Sequence, residues 1–502
     1  MPAPDSPTLF SLTQLGLSYR ARPVLRGIDW NWRNGEQWAV LGPNGAGKTS
    51  LAGILSGEQL HFSGSFERSS ELRAGGTAYV CFERGRRLCE RDAKLDCSEY
   101  ESSARDPGTR VRDLLKVGNA GQHAWERIVE LLSLESILDR GLRFVSTGEM
   151  RKALLGSALL SQPSLLILDS PLDGLDRATQ RRLAASLNDI IEELPAVLVL
   201  CRSRDEVPEA CSNLLLLDRG RVLERGARDA LLCGDTARQL LAVPTLDFQA
   251  PPAPATRDLA ARPARPATLE LDNVTVNYGD FCVFRNLRWR MDPHQHCLIA
   301  GPNGSGKSTL LDLLTGDNHK AFTQQVRLFG ALRGSGESVW DIKAHFGRVD
   351  ARMQQAVPPG SRVLEVVVSG FYDSLGLRDR PSDGQARQAR AWLAALGLAT
   401  LASEEFHTLS FGLQRLVLLG RAMVKGPSIL LLDEATLGLD AGHRRLLLAA
   451  VDHVVARGHC QLLFVSHTKG EVPACINQSL EFIPEEGGSR VVVDAYPPTP
   501  RN

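Results

Sequence analysis

Short uninterrupted apolar runs recur along this chain, each closed by a polar or turn-forming residue. Leu165–Leu168 runs into Asp169, and Ile429–Leu432 runs into Asp433. Runs of this length read as buried parallel strands. Trp38–Leu41, Ala196–Cys201 and Leu462–Ser466 have the same character, and Leu9–Tyr19, Val24–Trp32 and the hairpin-like Leu214–Val222 also read as β. Helical periodicity is predicted over Leu51–Leu55, over Ala124–Leu138 and from Val145–Glu149 through Leu160. Residues 83–106 are charged and of mixed sign, so a solvated insert is expected there.

The pattern then repeats. Tyr19 precedes Lys48 by 29 residues and Tyr278 precedes Lys307 by 29; Gly148 precedes Asp169 by 21 and Gly412 precedes Asp433 by 21. Self-similarity at this scale means two copies of one domain. The stretch Ala250–Thr268 between them is rich in Pro and Ala, which favours an extended, semi-rigid spacer. Domains are therefore expected at 1–248 and 269–502, with a linker at 249–268. A length of 502 residues agrees, since single cores stop growing near about 250–300 residues.

Composition narrows the function classes. Lys+Arg and Asp+Glu both number 58, and no basic stripe is visible, so a nucleic-acid partner is not expected. No apolar run approaches a membrane span, and residues 1–10 carry no signal-peptide pattern, so the expectation is a cytoplasmic chain. Any work at the inner membrane would go through a permease supplied in trans. Ten cysteines lack a CxxC pair. Cys81, Cys89 and Cys97 are evenly spaced but match no usual metal signature, and free thiols are the simpler reading.

Two stretches carry the chemistry. Gly42-Pro43-Asn44-Gly45-Ala46-Gly47-Lys48-Thr49-Ser50 follows an apolar strand and opens a helical pattern; so does Gly301-Pro302-Asn303-Gly304-Ser305-Gly306-Lys307-Ser308-Thr309. A strand, a Gly-rich loop and a helix in that order are what a phosphate-binding loop requires. Loop amides and the helix N-terminus cradle phosphates, the lysine reaches the outer phosphates, and Thr49 or Ser308 can ligate Mg2+. Asp169 and Asp433, delivered at strand ends, supply hard oxygen ligands for the same ion. Glu434 follows Asp433 and can act as a base on water. Ser170 stands at that place in the first copy.

Two such loops with partners at matched spacing give a close resemblance to the ATP-binding cassette (ABC) nucleotide-binding domains, over nearly the whole chain. The resemblance implies two α/β P-loop domains in tandem, each with a parallel core sheet, an antiparallel β subdomain and a helical subdomain. It implies ATP and Mg2+ as ligands and a head-to-tail pairing of the halves. One site would then combine Lys48, Thr49 and Asp169 with Ser410 and Gly412 of the Leu409–Gln414 signature stretch. The other would combine Lys307, Ser308, Asp433, Glu434 and His467 with Ser146 and Gly148. Tyr19 and Tyr278 would stack on adenine, and His467 would contact the γ-phosphate. A narrower resemblance, to tandem cassettes associated with molybdate transport, rests on Ser146–Lys152, Arg333–Lys343 and the segment from Ser466 to Cys475.

The first site departs from the family twice: Ser170 replaces the glutamate and Arg202 the histidine. Asp173 is another nearby carboxylate. The glutamine that normally faces a membrane partner is also missing; Glu83 lies near its position in the first half, and the second half has none until Gln354. ATP hydrolysis mainly at the second site is expected. Its use is open among an importer subunit, a regulatory switch and a ribosome-associated tandem cassette. The short Pro-rich linker and zero net charge argue against the last.

Overall fold

The computed structural model describes residues 7–19, 22–43, 45–95, 108–115, 121–145, 147–172, 177–242, 245–252, 268–278, 281–302, 304–318, 320–321, 324–350, 353–377, 380–456, 460–466, 472–485 and 488–496. The chain divides into two compact units, Met1–Ala242 and Val243–Asn502.

The first unit contains strands β1 (Thr8–Tyr19), β2 (Arg22–Arg33), β3 (Trp38–Leu41), β4 (Ser63–Arg68), β5 (Thr77–Val80), β6 (Leu165–Asp169), β7 (Val197–Cys201), β8 (Asn213–Asp218) and β9 (Arg221–Ala227). A three-stranded antiparallel sheet has the order β2-β1-β4. A six-stranded sheet has the order β5-β6-β7-β3-β8-β9, parallel except for the β8–β9 hairpin. Its inner strands are buried along their length, as their continuous apolar runs require. β3 and β6 both lie against β7, so the phosphate loop after β3 and the carboxylate closing β6 emerge at the same sheet edge. Ligands of open α/β sheets bind at that carboxyl edge.

The second unit contains β10 (Leu269–Tyr278), β11 (Phe281–Met291), β12 (Cys297–Ala300), β13 (Gln325–Leu328), β14 (Ala331–Leu332), β15 (Phe346–Asp350), β16 (Ile429–Asp433), β17 (Gln461–Ser466), β18 (Gln478–Glu485) and β19 (Gly488–Ala495). They form one sheet in the order β14-β13-β10-β11-β19-β18-β12-β17-β16-β15. A single pairing, Phe284 with Ser489, joins its antiparallel part to the rest. β12, β17, β16 and β15 run parallel and repeat the arrangement of the first unit. Helices Val363–Val368, Asp383–Ala395 and Phe411–Met423 pack together over one face of this sheet.

Two expectations change. Residues 82–95 of the charged insert form a helix, Phe82–Leu95, rather than a loop. Its Leu88 and Cys89 pack on the core, and buried Asp92 accepts hydrogen bonds from the Thr109 amide (2.7 Å) and Arg91. The mixed charge hid an amphipathic pattern with one apolar stripe. Residues 96–107, with Cys97, lie outside the described residues. The expected domain end at 248 also moves. Leu246 and Phe248 pack on the second unit's core, the Gln249 amide donates to the Ala395 carbonyl (3.1 Å), and Phe248 lies 5.4 Å from the His453 ring.

Aromatic packing holds the antiparallel subdomain that ends in Tyr19. Phe10 meets Trp30 edge-on at 5.2 Å, and Trp30 stacks on Trp32 at 5.3 Å. Trp32 is fully buried, and its indole donates to the Glu36 carbonyl (3.0 Å). Trp32→Ala is predicted to lower the unfolding free energy by about 3–5 kcal/mol. Urea titration followed by fluorescence measures it; a midpoint equal to that of the unsubstituted chain would contradict this packing account.

Candidate active site

Both phosphate loops open a helix on a left-handed glycine. Gly47 (φ 103°) precedes helix Lys48–Ser56, and Gly306 (φ 104°) precedes helix Lys307–Thr315. This conformation suits glycine because no Cβ opposes it. It turns the loop so that the first helical residue is the lysine. Lys48 Nζ donates to the carbonyls of Gly42 (2.6 Å) and Pro43 (2.9 Å); Lys307 Nζ donates to those of Gly301 (2.9 Å) and Pro302 (2.7 Å). Each ammonium is thus held over its own loop. Burial pulls the Lys48 ammonium down to about 8, with Arg202 adding to the effect and Asp169 opposing it. Burial also lowers Lys307, against Glu434 and Asp433.

Gly45 and Gly304 lie in the same turns, Ala46 and Ser305 are buried beneath them, and Ser50 and Thr309 occupy the third helical position. Thr49 and Ser308 are exposed on the first turn. Tyr19 and Tyr278 close β1 and β10, and each is 49% exposed, so a ring face is open for stacking. Asn318 donates to the Tyr278 hydroxyl (2.8 Å), and Lys320 lies 5.3 Å from its ring centroid. Gly148 and Gly412 take the second position of helices Thr147–Leu160 and Phe411–Met423, and Ser410 caps the latter. Asn44, Ser146, Asp173, Asn303 and His467 lie outside the described residues.

The two carboxylate ends differ sharply. In the first unit Asp169 Oδ2 accepts hydrogen bonds from Thr49 (2.8 Å) and from the Tyr79 hydroxyl (3.0 Å), and Ser170 Oγ lies 3.4 Å from Oδ1. Burial, then the Asp169 charge, pushes the Tyr79 phenol far up, so it remains a donor. Arg202, just after β7, is buried, and its amide donates to Glu206 (2.8 Å). In the second unit Asp433 lies in register with Asp350, and Arg348 reaches Asp433 at 3.7 Å. Burial first, then Glu434, raises the Asp433 carboxyl to about 6, against the pull of Arg348 and Lys307. One site therefore surrounds its aspartate with hydroxyl groups, and the other crowds carboxylates around it.

Ser170 and Glu434 nevertheless share one backbone geometry. Their φ values are 49° and 51°, and their amides donate to Leu200 (3.1 Å) and Val465 (3.3 Å). A left-handed non-glycine residue costs on the order of 1–3 kcal/mol and is found where a site needs it. The first unit has the same turn, with a serine in place of the glutamate.

Cys81 and Cys89 are half-buried and form no disulfide. The hydroxyl and carboxylate donors at Thr49/Asp169 and Ser308/Asp433 do fit a hard divalent cation. Gln354 does not reach the site. It is buried and donates to the Phe411 carbonyl (2.9 Å) and Gln414 (3.1 Å), while Asp350 stands beside Asp433. Sequence reasoning passed over Tyr79 and Arg348, which hold the same register position, opposite Ile167 and Leu431. Aligning the edge strands with the aspartate strands would have found them.

The comparisons agree with this geometry. Residues 25–173 and 284–437 match the family described as ABC transporter. The chain is 37% identical over 465 residues to the ABC transporter ATP-binding protein ModF of Escherichia coli (strain K12), covering 91% of this chain and 94% of that protein. A solved archaeal ribosome recycling factor, in complex with a ribosomal stalk protein, superimposes with a TM-score of 0.53 at 19% identity over 91% of this chain and 85% of that chain. A structure titled RNase-L Inhibitor gives 0.52 at 19%, over 91% and 86%. At these identities the structural likeness shows the fold alone.

The raised Asp433 carboxyl predicts a stability effect. The folded unit binds more protons than the unfolded chain between the ordinary 3.8 and about 6, so stability falls as pH rises across that window. The penalty is complete above about 6. Asp433→Asn should therefore stabilise the nucleotide-free, magnesium-free chain at pH 7.5 by on the order of 2 kcal/mol, with little effect at pH 4. Calorimetry in chelator checks this; equal destabilisation at both pH values would contradict it.

Proposed function

We propose that this chain, which belongs to the ABC transporter family, hydrolyses ATP mainly at the phosphate site built on its second unit. As a member of that family it is a P-loop ATPase with two cassettes in tandem. The observation that carries the asymmetry is Glu434: a carboxylate beside Asp433, on the same left-handed turn that presents Ser170 in the first unit.

In the second site Glu434 accepts the proton of the attacking water and orients it. Loss of such a base costs about 10²–10⁴ in rate. Lys307 and the amides of its loop hold the charge that grows on the phosphoryl oxygens. Ser308 and Asp433 would hold Mg2+, which when bound neutralises phosphate charge. By resemblance to the family, His467 is assigned to the γ-phosphate, and Ser146 and Gly148 to nucleotide binding. In the first site Lys48, Thr49 and Asp169 bind nucleotide, and Ser410 and Gly412 are assigned to nucleotide binding by resemblance to the family. Tyr19 and Tyr278 stack on the adenines.

The partner we favour is a permease supplied in trans, with the protein on the cytoplasmic face of the membrane. What supports it is the similarity to an ABC transporter ATP-binding protein; among the described residues no helix is long and apolar enough to cross a membrane. The molybdate cargo rests on the sequence resemblance. Affinity isolation with ATP trapped tests the partner. A co-isolated permease supports the importer reading, and a co-isolated ribosome contradicts it.

Glu434→Gln is predicted to reduce steady-state phosphate release at least 10²-fold while both sites still load ATP. Turnover within a few-fold of the unsubstituted chain would overturn the assignment. Ser170→Glu in that background should recover little, because Arg202 still occupies the histidine position. An arginine can hold a phosphate but cannot accept a hydrogen bond.

A further inference from the structure

The signature serine of the second unit is tied to an imidazole. Ser410 Oγ lies 3.2 Å from His443 Nε2, and His443 Nδ1 lies 2.7 Å from Asp440 Oδ2. Asp440 also caps helix Ala441–Val455, accepting from the His443 amide at 2.9 Å. The His443 and Asp440 side chains are each 11% exposed. The signature helix makes room for the ring: a Cβ on Gly412 would fall 2.0 Å from the imidazole Cδ2 and 2.3 Å from Cγ. The signature glycine here admits His443 as well as serving any ligand.

The geometry points to His443 as a positioning residue that decides whether Ser410 can give its proton to a phosphate. The carboxylate of Asp440 is an acceptor, so Nδ1 carries a proton and neutral His443 presents a bare Nε2. Ser410 then donates to His443. Its oxygen also accepts from the Leu413 amide at 3.4 Å, so the hydroxyl proton is already in use. When the ring is protonated, Nε2–H becomes the donor. Ser410 Oγ then accepts from both His443 and Leu413, and its proton must find another acceptor. An anionic phosphate oxygen supplies one, and the nearby imidazolium adds to the attraction.

The charges around the ring are few. Asp440 faces Nδ1. On the signature helix, Arg415 turns to the carbonyls of Asp350 (2.6 Å) and Leu437 (3.5 Å); on the ring's own helix, Arg444 turns to that of Leu439 (3.1 Å). Protonation of His443 is therefore read mainly through Asp440 and Ser410. The first half has Thr179 three residues after Asp176, where the second half has His443 after Asp440. The control thus belongs to the phosphate facing Ser410 alone.

This deepens the reading of Ser410 as a phosphate-facing residue, and the test separates the two. Mg-ATP affinity is measured on the full chain carrying Glu434→Gln, between about pH 5.5 and 8.5, with and without His443→Gln. Comparing the two chains cancels ATP's own titration. The expected result is a component of binding that tightens roughly ten-fold as pH falls, present with His443 and lost in His443→Gln. Superimposable pH profiles overturn the proposal. Ser410→Ala binding ATP as tightly as the Ser410 chain at every pH would instead overturn the phosphate reading, and the proposal with it. Nitrogen-15 NMR of His443 needs no variant: an Nδ1–H neutral tautomer supports the relay, and an Nε2–H tautomer overturns it.

Discussion

A buried parallel strand can bring a carboxylate to the sheet edge only by desolvating it, and both units depend on how that charge is compensated. β6 and β16 are sealed along their apolar residues and end on Asp169 and Asp433. In the first unit three hydroxyl groups, from Thr49, Tyr79 and Ser170, surround the aspartate, and no second carboxylate follows it. In the second unit Glu434 follows at once and Asp350 lies in register beside it, with Arg348 reaching in. The second arrangement is costly in the nucleotide-free chain, which is what a site built to receive a cation and a polyphosphate requires. The first is already satisfied, which suits a site that holds more than it turns over.

Much of this was legible in the chain. The phosphate loops, the strand ends and the substitution of Ser170 for glutamate follow from local patterns of apolar runs, glycine spacing and single carboxylates. The late hairpin falls at β8 and β9 as expected, and the helix after residue 145 begins at Thr147. What was hidden depends on cross-strand or helix-to-helix contact. Tyr79 and Arg348 matter because parallel pairing sets them beside the aspartates. His443 matters because Gly412, thirty-one positions earlier in the chain, leaves room for its ring. Helix Phe82–Leu95 was masked by its charge, which lies on a solvated face while Leu88, Cys89 and Asp92 turn inward. Gln354, which the sequence shows only as the first glutamine beyond the expected position, is buried against the signature helix.

The shared left-handed turn links the two halves. A non-glycine residue is kept in that conformation at both Ser170 and Glu434, and only the glutamate could serve the proposed water activation. The two sites thus share a backbone frame and differ in the side chain it carries. A hydrogen-bonded aspartate, buried Arg202 and a retained lysine are what the proposed nucleotide holder would need. Crowded carboxylates and Glu434 are what the proposed hydrolytic site would need.

The most direct test of that division is the stoichiometry of a single pass. The chain is saturated with Mg-ATP, mixed rapidly with acid at increasing times, and its bound nucleotide is separated into ATP and ADP. The account predicts that one nucleotide per chain converts quickly while the second is recovered as ATP over the same period. Rapid conversion of both, with equal rates, would contradict it.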